Sequence, residues 1–434
     1  MLTHLLLAVA TTQPAPRAEL VGFAVLPADT FRPGPTSGQF IDPANGRTPP
    51  FVDKQPVQGI SSMIATDTPG TYFALSDNGF GAKRNSADYV LCVYEITPDF
   101  ETGEVAWELA FELSDPDDIL DWPIVAEMET YPDSDIPVPA DIKEGRKLTG
   151  ADFDIESMVR LPDGTFWIGD EFGPFLLHFD AEGKLLEPPV ELPGEGMHSP
   201  DHPTKDPAKA KIARSAGFEG LAYLTWQVSE EHAEAFFTEV GTEAHVLYAM
   251  LEKPIADENL AKIYEGEYLI DMFVYDEEGT ANLTRTNAAQ SGKRRMSQGS
   301  SSIGASSILQ VEDDLPTQFL TLERDSKEGG DAIVKRLSVD SVVHHDDGTF
   351  TARPVPIADL LDIADPNDLD ADGLTDFRFP FVTIESVVVV DERTVLICND
   401  NNFPFSNGRS ATEPDHTEFI LVRLPEPLSE IGRE

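Results

Sequence analysis

The residues with the most chemistry in this chain are carboxylates placed at two recurring points. Five segment pairs carry them: GISSMIA with TYFALSDNGFG, DIESMVRL with TFWIGDEFG, GFEGLAYL with HVLYAMLEK, GASSILQV with TQFLTLERD, and TIESVVVV with TVLICNDNN. The first segments supply Glu156, Glu219 and Glu385, with Ser61 and Ser306 in the matching places. The second supply Asp77-Asn78, Asp170-Glu171, Glu252, Glu323-Arg324-Asp325 and Asp400-Asn401-Asn402. Asp and Asn at strand ends ordinarily make turns. The three glutamates differ, because each sits inside an apolar run, where an unpaired carboxylate is costly. A shared cation would relieve that cost.

Carboxylate and amide oxygens suit hard cations, and calcium tolerates irregular coordination by about six to eight oxygens. We expect calcium to be held from among Asp77, Asn78, Glu156, Asp170, Glu219, Glu323, Asp325, Glu385, Asp400 and Asn401. The residues expected to act in catalysis are Glu156, Glu219, Glu385, Asp170 and Glu171. Arg324, Lys83 and Arg214 lie next to these motifs and could hold an anionic group against the metal. Arg324 has a second reading, as the neutralising partner of Glu323 and Asp325. A separate calcium candidate is the loop DLDADGLTD, where Asp368, Asp370 and Asp372 alternate before Gly373 and Asp376 follows. It resembles the start of an EF-hand, but Phe379 stands where that loop needs its glutamate. His198 and His202 have plausible metal spacing in a Pro-rich loop, yet histidine is scarce near the acidic motifs, which argues against zinc.

The elements that must position these acids are strands. Short β-branched and aromatic runs, punctuated by PDG, DDG and Pro clusters, dominate from residue 20 onward. Self-similarity at intervals of many tens of residues marks a repeat architecture. Segments 115–148 and 188–211 read as long insertions on one face. Weak helices are expected over Ser229–Phe237 and Asp257–Ala261. LVGFAVLP near the start and EFILVRLP near the end lack the acidic motif and suit a ring-closing pair. Closure of four-stranded blades into a ring protects sheet edges. The expected fold is therefore all-β: a single β-propeller of six blades over residues 20–425, with five or seven as alternatives and a β-sandwich pair behind them. Residues 426–434 form a tail.

With 78 Asp plus Glu against 31 Lys plus Arg, the net charge is −47. Such a surface repels nucleic acid and anionic membranes and attracts cations. No stretch approaches the ~20 apolar residues of a membrane span. Residues 1–19 contain a short apolar run ending in Ala8-Val9-Ala10, which reads as a secretory signal without its basic flank, or as a disordered tail. Cys92 and Cys398 are the only cysteines; they could bridge early and late repeats or remain buried thiols. There is no G-x-S-x-G elbow and no phosphate-binding G-x-x-x-x-G-K-[ST] loop, so metal-activated water is the surviving hydrolytic route.

DNGFGAKRNSADYVLCVYEITPDF at 77–100, LTGADFDIESMVRLPDGTFWIGDEFGPFLLHFDAEGKLL at 148–186, GFEGLAY at 217–223, LERDS at 322–326 and NDNNFPFSNGR at 399–409 together resemble the phytase-like family known as esterase-like activity of phytase. The resemblance spans roughly residues 20–425. It implies a propeller-like domain whose Glu156, Asp170, Glu171, Glu219, Glu323, Asp325, Glu385, Asp400 and Asn401 carry phosphomonoesterase or phosphodiesterase activity. Cys92 stands where that pattern would place a residue such as Arg. The expected function is a secreted or periplasmic, calcium-dependent phosphoesterase, monomeric and acting on a small anionic ester. The alternatives are a propeller lactonase or carboxylesterase with a catalytic calcium, and a calcium-stabilised binding propeller without catalysis.

Overall fold

A computed structural model describes residues 17–226, 244–255, 269–277, 286–296, 300–312, 315–345 and 349–431. The two helices expected from sequence lie outside these residues. Twenty of the described strands form five antiparallel four-stranded arrays, and Phe31–Pro33 with Lys54–Pro56 and Ile363–Ala364 with Asp376–Phe377 make two short pairs beside them. The first comprises Ile60–Ala65, Tyr72–Ser76, Cys92–Asp99 and Glu104–Glu112. The second comprises Ile155–Arg160, Phe166–Asp170, Phe175–Phe179 and Val190–Glu191. Phe218–Trp226, Ala244–Leu251, Leu269–Glu277 and Thr286–Arg295 make the third. The fourth contains Ser302–Glu312, Leu315–Arg324, Lys335–His344 and Phe350–Asp359. Thr383–Val389, Thr394–Asp400, Thr417–Arg423 and Glu19–Leu26 complete the fifth.

The first strand of each array touches the first strands of the arrays on either side, so these five strands close a ring. All five line a central cavity of about 460 Å3. The molecule is a β-propeller, and each array is a blade. The terminal strands do pair, from Glu19 opposite Arg423 to Leu26 opposite Thr417. They add to the strand Thr394–Asp400 and finish the fifth blade, so the sixth blade expected from them is absent among the described residues. Joining the first and last segments of the chain in one blade fastens the ring without a further unit.

Five apolar clusters fill the five interfaces between neighbouring blades. Leu75, Ile155 and Phe166 pack the first against the second; Trp167, Phe218 and Leu247 pack the second against the third. Tyr248, Ile303 and Phe319 follow, then Leu320, Ile384 and Val395, and Ala74, Tyr94 and Leu396 close the circle. The core is thus a set of wedges around the channel, and consecutive residues such as Phe166 and Trp167 or Val395 and Leu396 enter opposite wedges, so the strands carry continuous apolar runs. Cys92 and Cys398 share the closing wedge as buried free thiols, not as a bridge.

Segment 115–148 contains one short helix, Ala140–Glu144, and a 3-10 turn, Val125–Glu127. Asp152 fastens this insertion by accepting the Val125 amide at 2.9 Å. Among the described residues no helix is long and apolar enough to cross a membrane.

Candidate metal and active site

Every inner strand carries a β-bulge near its start. The pairing register jumps between Ile60 and Ser62, Ile155 and Ser157, Phe218 and Gly220, Gly304 and Ser306, and Ile384 and Ser386. The skipped residues are Ser61, Glu156, Glu219, Ala305 and Glu385. A bulge leaves one residue out of the ladder and re-aims its side chain. This is how a glutamate embedded in an apolar run is redirected without disturbing the blade. The fourth blade corrects the sequence alignment by one place, with Ala305 rather than Ser306 at the bulge.

The same register defines a second ring. Ser76, Asp170, Leu251, Leu322 and Asn399 pair with the residue just before each bulge. The residues that follow them are Asp77, Glu171, Glu252, Glu323 and Asp400, an acid in every blade. Two glycines allow close approach here. Gly59 has φ +67°, and a Cβ on it would lie 2.2 Å from the Asp77 Oδ1; one on Gly217 would lie 2.4 Å from the Glu171 Cα.

The rings converge in two overlapping groups. One carboxylate oxygen from each of Asp154, Glu156 and Glu171 lies within 4.8 Å of the others, and the same holds for Glu156, Glu219 and Glu385. Glu156 belongs to both. The guanidinium of Arg324 enters the second group, with Nη2 at 3.0 Å from Glu252 Oε1, 3.0 Å from Glu385 Oε1 and 3.7 Å from Glu219 Oε1. Arg324 and Lys253, whose ammonium pairs with Glu252 Oε2 at 2.5 Å, do not match so many acids: Asp154 Oδ1 and Glu385 Oε2 are buried with no hydrogen-bond partner, and Glu219 Oε1 has Arg324 no nearer than 3.7 Å. Unpartnered buried carboxylate oxygens in a compact all-oxygen set are what a hard cation would satisfy. The donor set therefore fits calcium.

Desolvation is the first cause of the shifted acidities, and like charges add to it. Asp77, Glu156, Glu171 and Glu219 are all held well above the usual carboxylate range by burial and by neighbouring acids. Burial lifts Glu385 to about 8 although Arg324 opposes it, and lifts Asp170 to about 7. Asp154 and Asp400 are each pushed to about 6. A carboxyl whose pKa is raised on folding binds protons in the folded state that the unfolded chain has released. Its contribution is therefore favourable at acidic pH and is lost as pH rises through the window from about 4 to about 8. Thermal melts in chelator should be highest near pH 5 and fall steadily to pH 8. A melting temperature that rises over this interval would contradict the assignment.

The structure sorts the expected residues. Glu156, Glu171, Glu219 and Glu385 come together, and Asp77 and Asp400 stand beside them as electrostatic neighbours. Asn78 hydrogen-bonds Asp154, and its Oδ1 accepts the Gly81 amide at 2.9 Å. Asp170 accepts the amides of Asp154 at 2.8 Å and Gly173 at 2.7 Å, so its carboxylate positions Asp154. Asn401 likewise spends its side chain on the Gly59 amide and the Asp415 carbonyl.

Glu323 and Asp325 lie outside both groups. Glu323 pairs with buried Arg294 at 2.8 Å, within a network containing Asp340 and Thr321. Asp325 accepts the amides of Ile333 and Val334 and pairs with Lys335 at 3.0 Å. Arg324 consequently neutralises Glu252 and Glu385 rather than its sequence neighbours. Lys83 donates to the Asp201 carbonyl at 3.2 Å, and Arg214 pairs with the Asp201 carboxylate.

Asp368, Asp370 and Asp372 converge in an exposed loop, but their carboxylates accept the loop's own amides, and Asp376 pairs with Arg17 at 2.7 Å. His198 contacts the Asp206 carbonyl at 3.1 Å. Asp154 is the residue that sequence reasoning missed. It occupies the place held by Gly59, Gly217, Ile303 and Thr383 in the other blades, and the acid spacing of DFDIES was its signal.

Known proteins resemble the chain at several levels. A relative from Arthroderma benhamiae described as an uncharacterized secreted protein is 32% identical over 94 residues, 18% of this chain and 18% of its own length. The chain therefore matches less than a fifth of that relative. Among solved structures, luciferin-regenerating enzyme aligns at 11% identity and TM-score 0.34 over 94% of this chain and 95% of that one. PQQ-bound aldose sugar dehydrogenase from Streptomyces coelicolor aligns at 9% identity and TM-score 0.34, covering 95% and 100% of the two chains. Superpositions this loose say nothing of chemistry. Residues 55–403, by contrast, match the phytase-like family described as esterase-like activity of phytase, and the chain belongs to that family.

Proposed function

We propose that this chain is a secreted, calcium-dependent phosphoesterase working at the acidic mouth of its channel. The observation that carries the reading is the meeting of Asp154, Glu156 and Glu171 with Glu219 and Glu385, where Asp154 Oδ1, Glu219 Oε1 and Glu385 Oε2 are buried without a hydrogen bond. Asp154, Glu156 and Glu171 would hold the cation. Calcium there would supply Lewis-acid polarisation of the phosphoryl group and of the attacking water. Glu385, with one free oxygen and a raised affinity for protons, is placed to take the water's proton. Arg324 holds Glu385 and Glu252 in place and offers positive charge toward a phosphate oxygen. Family membership supports ester chemistry, and the secreted relative supports the location.

The test is turnover by chelator-stripped protein of phosphomonoesters, phosphodiesters, phytate and lactones, each with and without added calcium. Calcium-restored hydrolysis of a phosphoester is expected. No turnover of any phosphoester, or turnover of lactones alone, would overturn the reading.

A further inference from the structure

A cavity of about 840 Å3 opens beside the acids, and Asp154 stands on its wall. The insertions and the turns that follow the acidic motifs build it together. Trp122 and Met128 come from segment 115–148, Asp201 from segment 188–211, and Phe172 from the turn after Glu171. Trp122 is half-buried and stacks on Phe175 with centroids 5.4 Å apart and planes at 15°, which fixes the indole at the cavity edge. Lys83, Arg84 and Arg214 reach the same space. The Lys83 ammonium lies 4.8 Å from the centre of the Phe172 ring. Cations and aromatic faces are therefore interleaved next to the acid cluster.

The charge balance limits what can bind. Three cations on the wall face four aspartates, a net of −1 (3 − 4). A polyanion carrying many phosphates would gain little from such a site, whereas one phosphate can select the cations and leave the aspartates to solvent or metal. The apolar remainder needs a flat partner, since aromatic walls favour stacking. A cavity of this volume suits a small organic ligand.

We infer that the substrates are phosphoesters with a single phosphate and a flat, apolar leaving group, of which aryl phosphates are the simplest class. This rests on the phosphoesterase reading. The phosphate sits between Asp154 and the cluster of Lys83, Arg84 and Arg214, and the ring lies against Trp122, Phe172 and Met128. Water's oxygen bonds to phosphorus as the bond from phosphorus to the aryl oxygen breaks; one water proton ends on the phenol and the other stays on the phosphate. A phenol leaves more readily than an alcohol, so binding and chemistry favour the same substrates.

The experiment is calorimetric titration of the calcium-loaded full chain with phenylphosphonate and methylphosphonate, which are not hydrolysed. Phenylphosphonate is expected to bind at least about 10-fold tighter, and Trp122→Ala to bring the two affinities to within about 2-fold of each other. Equal affinities for the native chain overturn the inference and leave the phosphoesterase reading standing. Binding of neither compound counts against both. The comparison of two ligands on the native chain keeps the test intact should the variant fold poorly.

Discussion

Glu156→Gln is expected to lose about 10³-fold in calcium-restored phosphoester turnover, while its calcium-free form becomes more stable at pH 8. The two effects have one origin. Glu156 is the only side chain shared by both carboxylate groups, so its loss opens each of them. Burial and the charges of Asp154, Glu219 and Glu385 all oppose its ionisation. Glutamine keeps the shape and removes the ionisable group, so the folded state no longer has to hold a proton there at pH 8. The gain has the sign set by the raised pKa, because the native carboxyl must be held protonated or ionised at a cost at pH 8. At pH 5 the gain should shrink, because the native carboxyl is then protonated at little cost. Denaturant titrations in chelator at the two pH values check this. Loss of stability at pH 8 would mean that Glu156 is a structural residue.

Arg324→Met should act in the opposite direction. Its guanidinium is the cation between Glu252 and Glu385, and it reaches Glu219 as well. Removing one partner of a buried ionic group typically costs about 3–5 kcal/mol, because the other charge stays buried and unmatched. Here the cost should be large at pH 8 and much smaller at pH 5, where protonation of the glutamates substitutes for the lost cation. Calcium should recover part of the stability at pH 8. Equal destabilisation at both pH values, with no response to calcium, would indicate that the side chain matters through packing alone.

Much of the site was legible from residue types. A glutamate inside an apolar run, as in DIESMVRL and TIESVVVV, cannot be explained by a turn, and those glutamates do converge. Strand alternation and turn chemistry also revealed the all-β repeat. Position along the chain could not reveal the bulges. A skipped pair is a property of two strands together, so Ala305 and Ser306 could not be told apart from one. For the same reason Glu323 and Asp325 read as site acids, although Arg294 and Lys335, distant in sequence, claim them. The preferred count of six gives way among the described residues to the alternative of five on topology: strands Glu19–Leu26 and Thr417–Arg423 read as a closing pair, but only pairing with Thr394–Asp400 places them in the fifth blade. Asp154 was overlooked because its partners in other blades are glycine, isoleucine and threonine, which hides an acid that repeats nowhere else.

On the proposed reading, unequal repeats build one cation site. Calorimetric titration of calcium into chelator-stripped protein at pH 7.5, with native chain and Glu156→Gln side by side, tests it most directly. Saturable binding by the native chain with release of protons is expected, because the raised carboxyls must ionise to coordinate. Stabilisation of about 2.7 kcal/mol should follow at a hundredfold excess over the dissociation constant, with loss of both effects in Glu156→Gln. Absence of binding by the native chain, or undiminished binding by the variant, would contradict it.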